Sequence, residues 1–207
     1  NFLFVIFRKA EMYSGMFNIA YKNIGSNFNH WIVRVFFTGY NRQGKILYYC
    51  QRKDRIHMKV AAIQMPTVKD KMQNIRTAGT YMEKIKVEQP DFVILPEMFC
   101  CPYQTENFPI YAEKEGGPSW QAMSDYAGKY HIYLIAGSMP EVDEAGNVYN
   151  TSYIFDRDGK QIGKHRKAHL FDNQCKNGQY FKEIRYSDFG RSCHSIATEF
   201  GKMGVMI

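Results

Sequence analysis

The feature that most constrains the fold is a run of four large apolar residues, Phe92 to Leu95, that stops at Pro96 and is followed by Glu97. Such a run predicts a short strand buried on both faces, which requires a layer of structure on either side of its sheet. Pro96 has no backbone N–H, so the strand should end there. A carboxylate at this point lies where open α/β sheets bind ligands. Glu97 is therefore a candidate functional residue, and a solvated loop glutamate is the alternative.

Regular secondary structure is predicted from Met58 onward, beginning with a strand over residues 60–63. Residues 70–87 predict an amphipathic helix capped by Asp70, because apolar side chains recur there every three or four positions. These side chains are Met72, Ile75, Ala78, Met82 and Ile85. The helix joins two predicted strands, which should be parallel and connected by a right-handed crossover.

The second half of the chain changes from helices to hairpins. Pro118 starts a second predicted helix over residues 119–130. The remaining predicted strands are residues 132–138, 148–155, 161–166, 194–200 and 203–207. Asp158-Gly159 and Gly201-Lys202 mark the turns of two hairpins. Helices that alternate with strands, followed by hairpins, predict the α/β class: a layered sandwich with a mixed sheet.

Residues 1–57 differ from the rest of the chain. They contain nine Lys and Arg but two acidic residues, so they hold the whole net charge of +7, and they show no sustained helical or strand period. We expect residues 1–57 to be a leader outside the main domain, poorly ordered or read through from upstream sequence. Residues 58–207 should form the main domain. A basic targeting arm is the alternative for the leader.

The cysteines, the short apolar start and the position of the excess charge limit which classes of protein this chain can belong to. Five cysteines, odd in number and without CxxC spacing, indicate neither a disulfide framework nor a zinc site: Cys50, Cys100, Cys101, Cys175 and Cys193. A reducing compartment is therefore expected. The apolar start of the chain, residues 1–7, is too short to span a bilayer. Because the excess charge lies in the leader, we expect no nucleic-acid binding by the main domain.

A second candidate site lies in the basic stretch of residues 163–172. Alternation along a strand turns Lys164 and Arg166 to one face and His165 and Lys167 to the other. Since apolar residues follow, Lys167 is the residue best placed at a strand end beside apolar structure. The alternative is a solvated basic edge that discourages strand pairing.

Taken together, Leu95-Pro96-Glu97, the stretch Arg166-Lys167-Ala168-His169-Leu170-Phe171-Asp172 and Gly204-Val205-Met206-Ile207 resemble the nitrilase, or carbon-nitrogen hydrolase, superfamily. The resemblance covers residues 58–207, which would be the N-terminal part of such a domain, and includes Tyr149-Asn150-Thr151. It implies half of an α-β-β-α sandwich. Cys101-Pro102-Tyr103 is most similar to the omega-amidase branch, which hydrolyses monoamides of dicarboxylic acids.

The resemblance implies a catalytic set of glutamate, lysine and cysteine. Glu97 would be the general base, Lys167 would stabilise the oxyanion, and Glu183 matches a second glutamate that would support the lysine. None of the five cysteines fits the motif. We expect the nucleophile directly after Ile207 and therefore an inactive fragment in the chain as it stands. Tyr103 is a candidate for the wall of the substrate pocket, with a core aromatic as the alternative.

The implied reaction needs a small amide substrate, no cofactor and no metal. The resemblance also implies a cytoplasmic protein, with a mitochondrial location as the alternative, and a homodimer for the complete protein. We expect neither a nucleic-acid nor a membrane partner. Two other function classes stay open. One is a nitrilase-fold binding module that never had a nucleophile, and the other is a basic nucleic-acid or membrane-surface protein acting through residues 1–57.

Overall fold

The computed structural model describes the backbone of residues 2–9, 30–37, 45–53, 56–170, 172–174, 180–182, 190 and 195–207, and the side chains of residues 58–170, 190 and 195–207. Its strands are β1 Phe2–Lys9, β2 His30–Phe37, β3 Lys45–Lys53, β4 Ile56–Gln64, β5 Phe92–Ile94, β6 Tyr133–Ile135, β7 Met139–Val142, β8 Val148–Phe155, β9 Gln161–Arg166, β10 Asp172–Gln174, β11 Tyr180–Lys182, β12 Ser195–Thr198 and β13 Gly201–Met206. Its α-helices are α1 Lys71–Ile85, α2 Phe108–Tyr111 and α3 Pro118–Tyr130, with 3₁₀ helices at Lys86–Glu88 and Thr105–Asn107.

The largest sheet is mixed. Its strand order is β3-β4-β5-β6-β8-β7, and β9 pairs with the other edge of β8. The pairs β4 with β5 and β5 with β6 are parallel, whereas β3, β7, β8 and β9 pair antiparallel with their neighbours. The predicted α/β class with a mixed sheet is confirmed.

Helix α1 forms where the apolar period predicted it. The side chain of Asp70 caps its first turn by accepting a hydrogen bond from Gln73 N at 3.0 Å. The buried face of the helix contains Asn74, Ile75, Ala78, Gly79, Met82 and Ile85. Met72, which we expected on this face, is 47% exposed. The α-helix ends at Ile85 and continues as the short 3₁₀ helix rather than reaching residue 87 in α geometry.

Two core clusters lie on opposite faces of the main sheet. The helix-side cluster contains Val93 together with Ile75, Met82 and Met123 of the helices. The second cluster joins the sheet to β12 and β13, and its members are Val60, Ala62, Phe92, Ile94, Tyr133, Ile135, Ile154, Ile196, Met203 and Val205. Strand β5 therefore contributes alternate residues to both clusters. This confirms that it is buried on both faces.

The second sheet has the order β12-β13-β1-β2. The predicted strand pair near the end of the chain forms, but its turn lies at Glu199-Phe200 instead of Gly201-Lys202, because Thr198 pairs with Gly201. The hydroxyl of Thr198 stabilises this turn by donating to Gly201 O at 2.8 Å and accepting from Phe200 N at 3.2 Å. The β8–β9 hairpin has the predicted bounds.

Strands β1, β2 and β3 lie within residues 1–57. The division of the chain into a leader of residues 1–57 and a main domain of residues 58–207 stays a prediction. No helix in the described part of the chain combines the length and the apolar character that crossing a membrane requires.

A buried ionic network fixes the end of β9 against its neighbouring strands. Glu141 of β7 is 2% exposed and accepts hydrogen bonds from Thr151 Oγ1 of β8 at 2.6 Å and from Arg166 Nη2 of β9 at 2.6 Å. Lys164 Nζ of β9 donates to the same carboxylate at 2.5 Å. The guanidinium of Arg166 stacks on the ring of Tyr149, 3.7 Å from its centroid. The network therefore ties the end of β9 to both β7 and β8.

The network keeps Glu141 ionised. Burial alone would raise the pKa of the Glu141 carboxyl, but the hydrogen bonds from Arg166, Lys164 and Thr151 outweigh burial and hold its pKa below the ordinary value. A carboxyl whose pKa is lower in the folded protein contributes stability above the unfolded pKa. That contribution is lost as pH falls through the folded pKa.

We predict that Glu141→Gln lowers the free energy of unfolding at pH 7 by about 2–4 kcal/mol, because Arg166 and Lys164 lose their buried counter-charge. Urea unfolding measures the difference. The difference in unfolding free energy between wild type and variant should have its full size above about pH 4.3, the ordinary glutamate pKa. It should become smaller at lower pH.

The matched control is Glu144→Gln, because the Glu144 side chain is 85% exposed and pairs with Lys114 on the surface. Its unfolding free energy should stay within about 0.5 kcal/mol of wild type. Equal effects of the two substitutions would contradict the role assigned to the network.

Candidate active site

Glu97 is held by the junction between β6 and β7. Leu95 N donates to Ile135 O at 3.0 Å, which extends the pairing of β5 with β6 by one bond. Beyond Pro96, Ser138 binds the loop twice: its Oγ accepts from Met98 N at 3.0 Å and its backbone O accepts from Phe99 N at 3.2 Å. These bonds enclose Glu97 on both sides, so its backbone cannot move independently of the sheet.

The backbone next to the hydrogen bonds between Ser138 and the Glu97 loop adopts uncommon conformations. Met98 has φ +55° although it is not glycine, and it is 1% exposed. Gly137 has φ +53°, and a Cβ atom there would lie 2.0 Å from Pro96 O. Glycine adopts this conformation without strain, whereas for Met98 it is unfavourable and is held in place by dense packing. Such strained residues cluster at functional sites.

Lys167 lies directly after β9 and reaches Glu97 across the sheet. Its backbone N donates to Asn150 O of β8 at 2.8 Å, and its Nζ donates to Glu97 Oε1 at 2.7 Å. The side chains are 8% and 12% exposed, respectively. Lys164 and Arg166 reach Glu141 instead, so the face alternation expected from the sequence separates the two charge clusters. The structure thus brings two sequence-predicted site residues into direct contact.

Two more side chains donate to the same oxygen of Glu97. Asn150 Nδ2 lies 2.9 Å and Tyr103 OH 3.2 Å from Oε1. Tyr103 is half-buried and packs edge-on against Phe108, with ring centroids 5.7 Å apart, as the alternative of a core aromatic expects. Its place in the wall of a substrate pocket stays a prediction. Sequence reasoning did not assign a role to Asn150. Its position in Tyr149-Asn150-Thr151, within the stretch that carried the family resemblance, was the available signal.

The other residues considered from the sequence are Glu183 and the five cysteines. Glu183, Cys175 and Cys193 are outside the described residues, and Cys50 lies in β3, where only the backbone is described. Cys100 and Cys101 belong to the helix-side core cluster and are at most 1% exposed. The hydrogen bond with Cys101, together with burial, raises the pKa of the Cys100 thiol well above its usual range. These properties make Cys100 a packed neutral thiol rather than a nucleophile.

The arrangement is suited to proton transfer beside a fixed positive charge. Glu97 Oε1 accepts three hydrogen bonds, whereas Oε2 accepts none from the described residues. One oxygen is therefore anchored and the other is available to take a proton. Lys167 places an ammonium next to that carboxylate, where little water screens its charge. Within the described ranges, no group of three or more His, Cys, Asp and Glu residues is arranged to hold a metal ion.

Comparison with known proteins gives consistent matches. The family described as carbon-nitrogen hydrolase matches residues 59–207. The chain is 44% identical over 158 residues to omega-amidase NIT3 of Saccharomyces cerevisiae, covering 72% of this chain and 54% of that protein. It is 39% identical over 149 residues to omega-amidase NIT2 of Mus musculus, again covering 72% of this chain and 54% of the relative. The chain thus spans about half the length of these relatives.

Solved structures agree in fold. The crystal structure of Saccharomyces cerevisiae Nit3, a member of branch 10 of the nitrilase superfamily, is 39% identical with a TM-score of 0.60, covering 68% of this chain and 51% of that one. An amidase from Nesterenkonia sp. is 16% identical with a TM-score of 0.61, covering 72% and 54%. The second likeness concerns the fold alone.

We predict that Gly137→Ala destabilises the protein more than Gly146→Ala does. Both glycines have positive φ, so both substitutions should cost about 1–2 kcal/mol in backbone conformation. A Cβ at residue 146 meets open space, whereas at residue 137 it collides with Pro96 O, which should add ~1–3 kcal/mol. Urea unfolding of the two variants measures the difference. Equal losses would mean that the Glu97 loop does not rest on Gly137.

Proposed function

We propose, from the premise that this chain belongs to the carbon-nitrogen hydrolase family, that it forms part of an enzyme that hydrolyses the amide bond of small amides. The observation that carries the proposal is the buried contact of Lys167 Nζ with Glu97 Oε1 at 2.7 Å. A carboxylate base beside a fixed ammonium supplies two of the three functions that amide hydrolysis through a thiol needs.

In the proposed reaction, Glu97 Oε2 takes the proton of a thiol as the sulfur attacks the amide carbonyl carbon. The ammonium of Lys167 stabilises the negative charge that develops on the carbonyl oxygen. Glu97 then gives its proton to the leaving nitrogen, the C–N bond breaks, and ammonia departs from a thioester. Glu97 next accepts a proton from water, which attacks the thioester, and the proton returns to the sulfur as the acid is released.

The proposal assigns the thiol to the position directly after Ile207, as the family resemblance implies. Ile207 packs against the core cluster that contains Ile94, three residues before Glu97. Glu183 is proposed as the second glutamate that supports Lys167.

We assign the omega-amidase class of substrate, monoamides of dicarboxylic acids, because the chain is similar to proteins named omega-amidase. Tyr103 would form part of the pocket wall, since its hydroxyl lies 3.2 Å from Glu97 Oε1. The test compares kcat/KM for a dicarboxylic monoamide and for a neutral amide of the same chain length. Faster hydrolysis of the neutral amide would overturn this specificity while leaving the amidase proposal in place.

We predict that Glu97→Gln and Lys167→Met in the complete gene product each reduce kcat about a hundredfold or more, the loss expected for a general base or an oxyanion donor. Gln keeps the size of the side chain and removes the base, whereas Met keeps the length and removes the charge. Ammonia release from a small amide measures turnover, and a melting curve checks that each variant folds.

The matched control is Lys114→Met, which removes a lysine that is 63% exposed and lies outside the site. It should retain wild-type kcat. Mass spectrometry of a trapped acyl adduct should locate the label at the residue after Ile207. An adduct on Cys100 or Cys101, or full activity of Glu97→Gln, would require a different mechanism.

A further inference from the structure

Asn150 contacts both members of the proposed catalytic pair. Its side-chain Nδ2 donates to Glu97 Oε1 at 2.9 Å, and its backbone O accepts from Lys167 N at 2.8 Å. The residue lies within β8 and its exposure is 0%. A single rigid position in the sheet is therefore bonded to the side chain of the base and to the backbone of the lysine.

The chemistry of the contact fixes the orientation of the Asn150 amide. Both oxygens of an ionised carboxylate are acceptors, so the NH₂ group and not the carbonyl must face Glu97. The amide oxygen Oδ1 then points elsewhere, and it is buried without a hydrogen-bond partner in the described part of the chain. An unpaired buried acceptor is unfavourable, so the amide is poorly explained as a stabilising group.

The other two donors to Glu97 Oε1 are less able to fix it. Lys167 reaches the carboxylate through a long side chain with four rotatable carbon–carbon bonds, and Tyr103 belongs to the loop that follows Glu97 itself. Asn150 has a short side chain on a strand that is paired on both sides. Its amide is thus the donor with the least freedom to move, and it sets the rotation of the carboxylate.

We propose that Asn150 is a positioning residue that fixes Glu97 with Oε1 bound and Oε2 directed to the reacting groups, while holding the backbone of Lys167 in register. The inference rests on the proposed function, since it states how the base of that reaction is aimed. Asn150 acts through Glu97 and Lys167 and forms no bond with the substrate in this scheme.

The principal variant is Asn150→Asp in the complete gene product, because Asp has nearly the same shape and leaves the backbone bond to Lys167 in place. We expect kcat to fall about 10- to 100-fold, as for a misaligned catalytic group, with KM changed less than about threefold. Two facing carboxyl groups should also hold a proton between them. The acidic limb of the pH profile of kcat/KM should therefore move to higher pH, which reports the contact with Glu97. The loss of kcat at nearly unchanged KM, in a variant that folds, is the result that a purely structural role would not cause.

The matched control is Ser152→Ala. Ser152 lies two residues along β8 on the same face, is 0% exposed, and has a hydroxyl without a hydrogen-bond partner among the described residues. It should retain wild-type kcat and pH profile. Asn150→Ala is a second variant, which removes the donor without adding an acid, and should lower kcat without moving the acidic limb upward.

The outcomes separate the two proposals. Wild-type kcat and pH profile in Asn150→Asp, with an active wild-type protein, would overturn the role of Asn150 and leave the amidase proposal standing. If neither Asn150 variant folds, the residue is structural and the inference fails.

If the wild-type protein hydrolyses no amide, the proposed function fails, and a crystal structure of Asn150→Ala decides the positioning role. A Glu97 carboxylate that has rotated supports that role, and an unchanged contact of 2.7 Å with Lys167 overturns it.

Discussion

The contact between Lys167 and Glu97 is the interaction on which the site depends, and it exists because several weaker contacts oppose the cost of burying charge. Taking an ammonium and a carboxylate out of water is unfavourable unless geometry and additional hydrogen bonds compensate. Here the carboxylate receives two further donors, from Asn150 and Tyr103. The pair is thus held at 2.7 Å in a partly dehydrated setting, where its charges interact strongly.

The mixed sheet brings these groups together. Glu97 and Lys167 are 70 residues apart in sequence, and the path between them runs from β5 through β6 and β8 to β9. Because strands in a sheet are separated by a constant distance, backbone pairing determines where each strand end lies. Ser138 attaches the Glu97 loop to this frame at one point and Asn150 attaches Lys167 at another.

Two neighbouring residues at the end of β9, Arg166 and Lys167, contact different carboxylates. Arg166 reaches the buried carboxylate of Glu141, whereas the next residue, Lys167, reaches Glu97. Alternation of side chains along a strand separates the two clusters on opposite faces. The Glu141 network can therefore stabilise the strand end without competing for the lysine that the proposed reaction uses. Arg166 therefore belongs to the buried Glu141 network, and its neighbour Lys167 is left for the proposed reaction.

The sequence by itself determined the local elements: the buried strand ending at Pro96, the amphipathic helix α1, the β8–β9 hairpin, and Glu97 and Lys167 as candidates. These follow from the identities of residues close in the chain, where periodicity and turn chemistry act. Only the tertiary structure decided that Asn150 and Tyr103 share Glu97 Oε1, that Glu141 anchors β9, and that the last turn lies at Glu199-Phe200. Such contacts depend on register between strands, and Asn150 lies 53 residues from Glu97, beyond any local pattern.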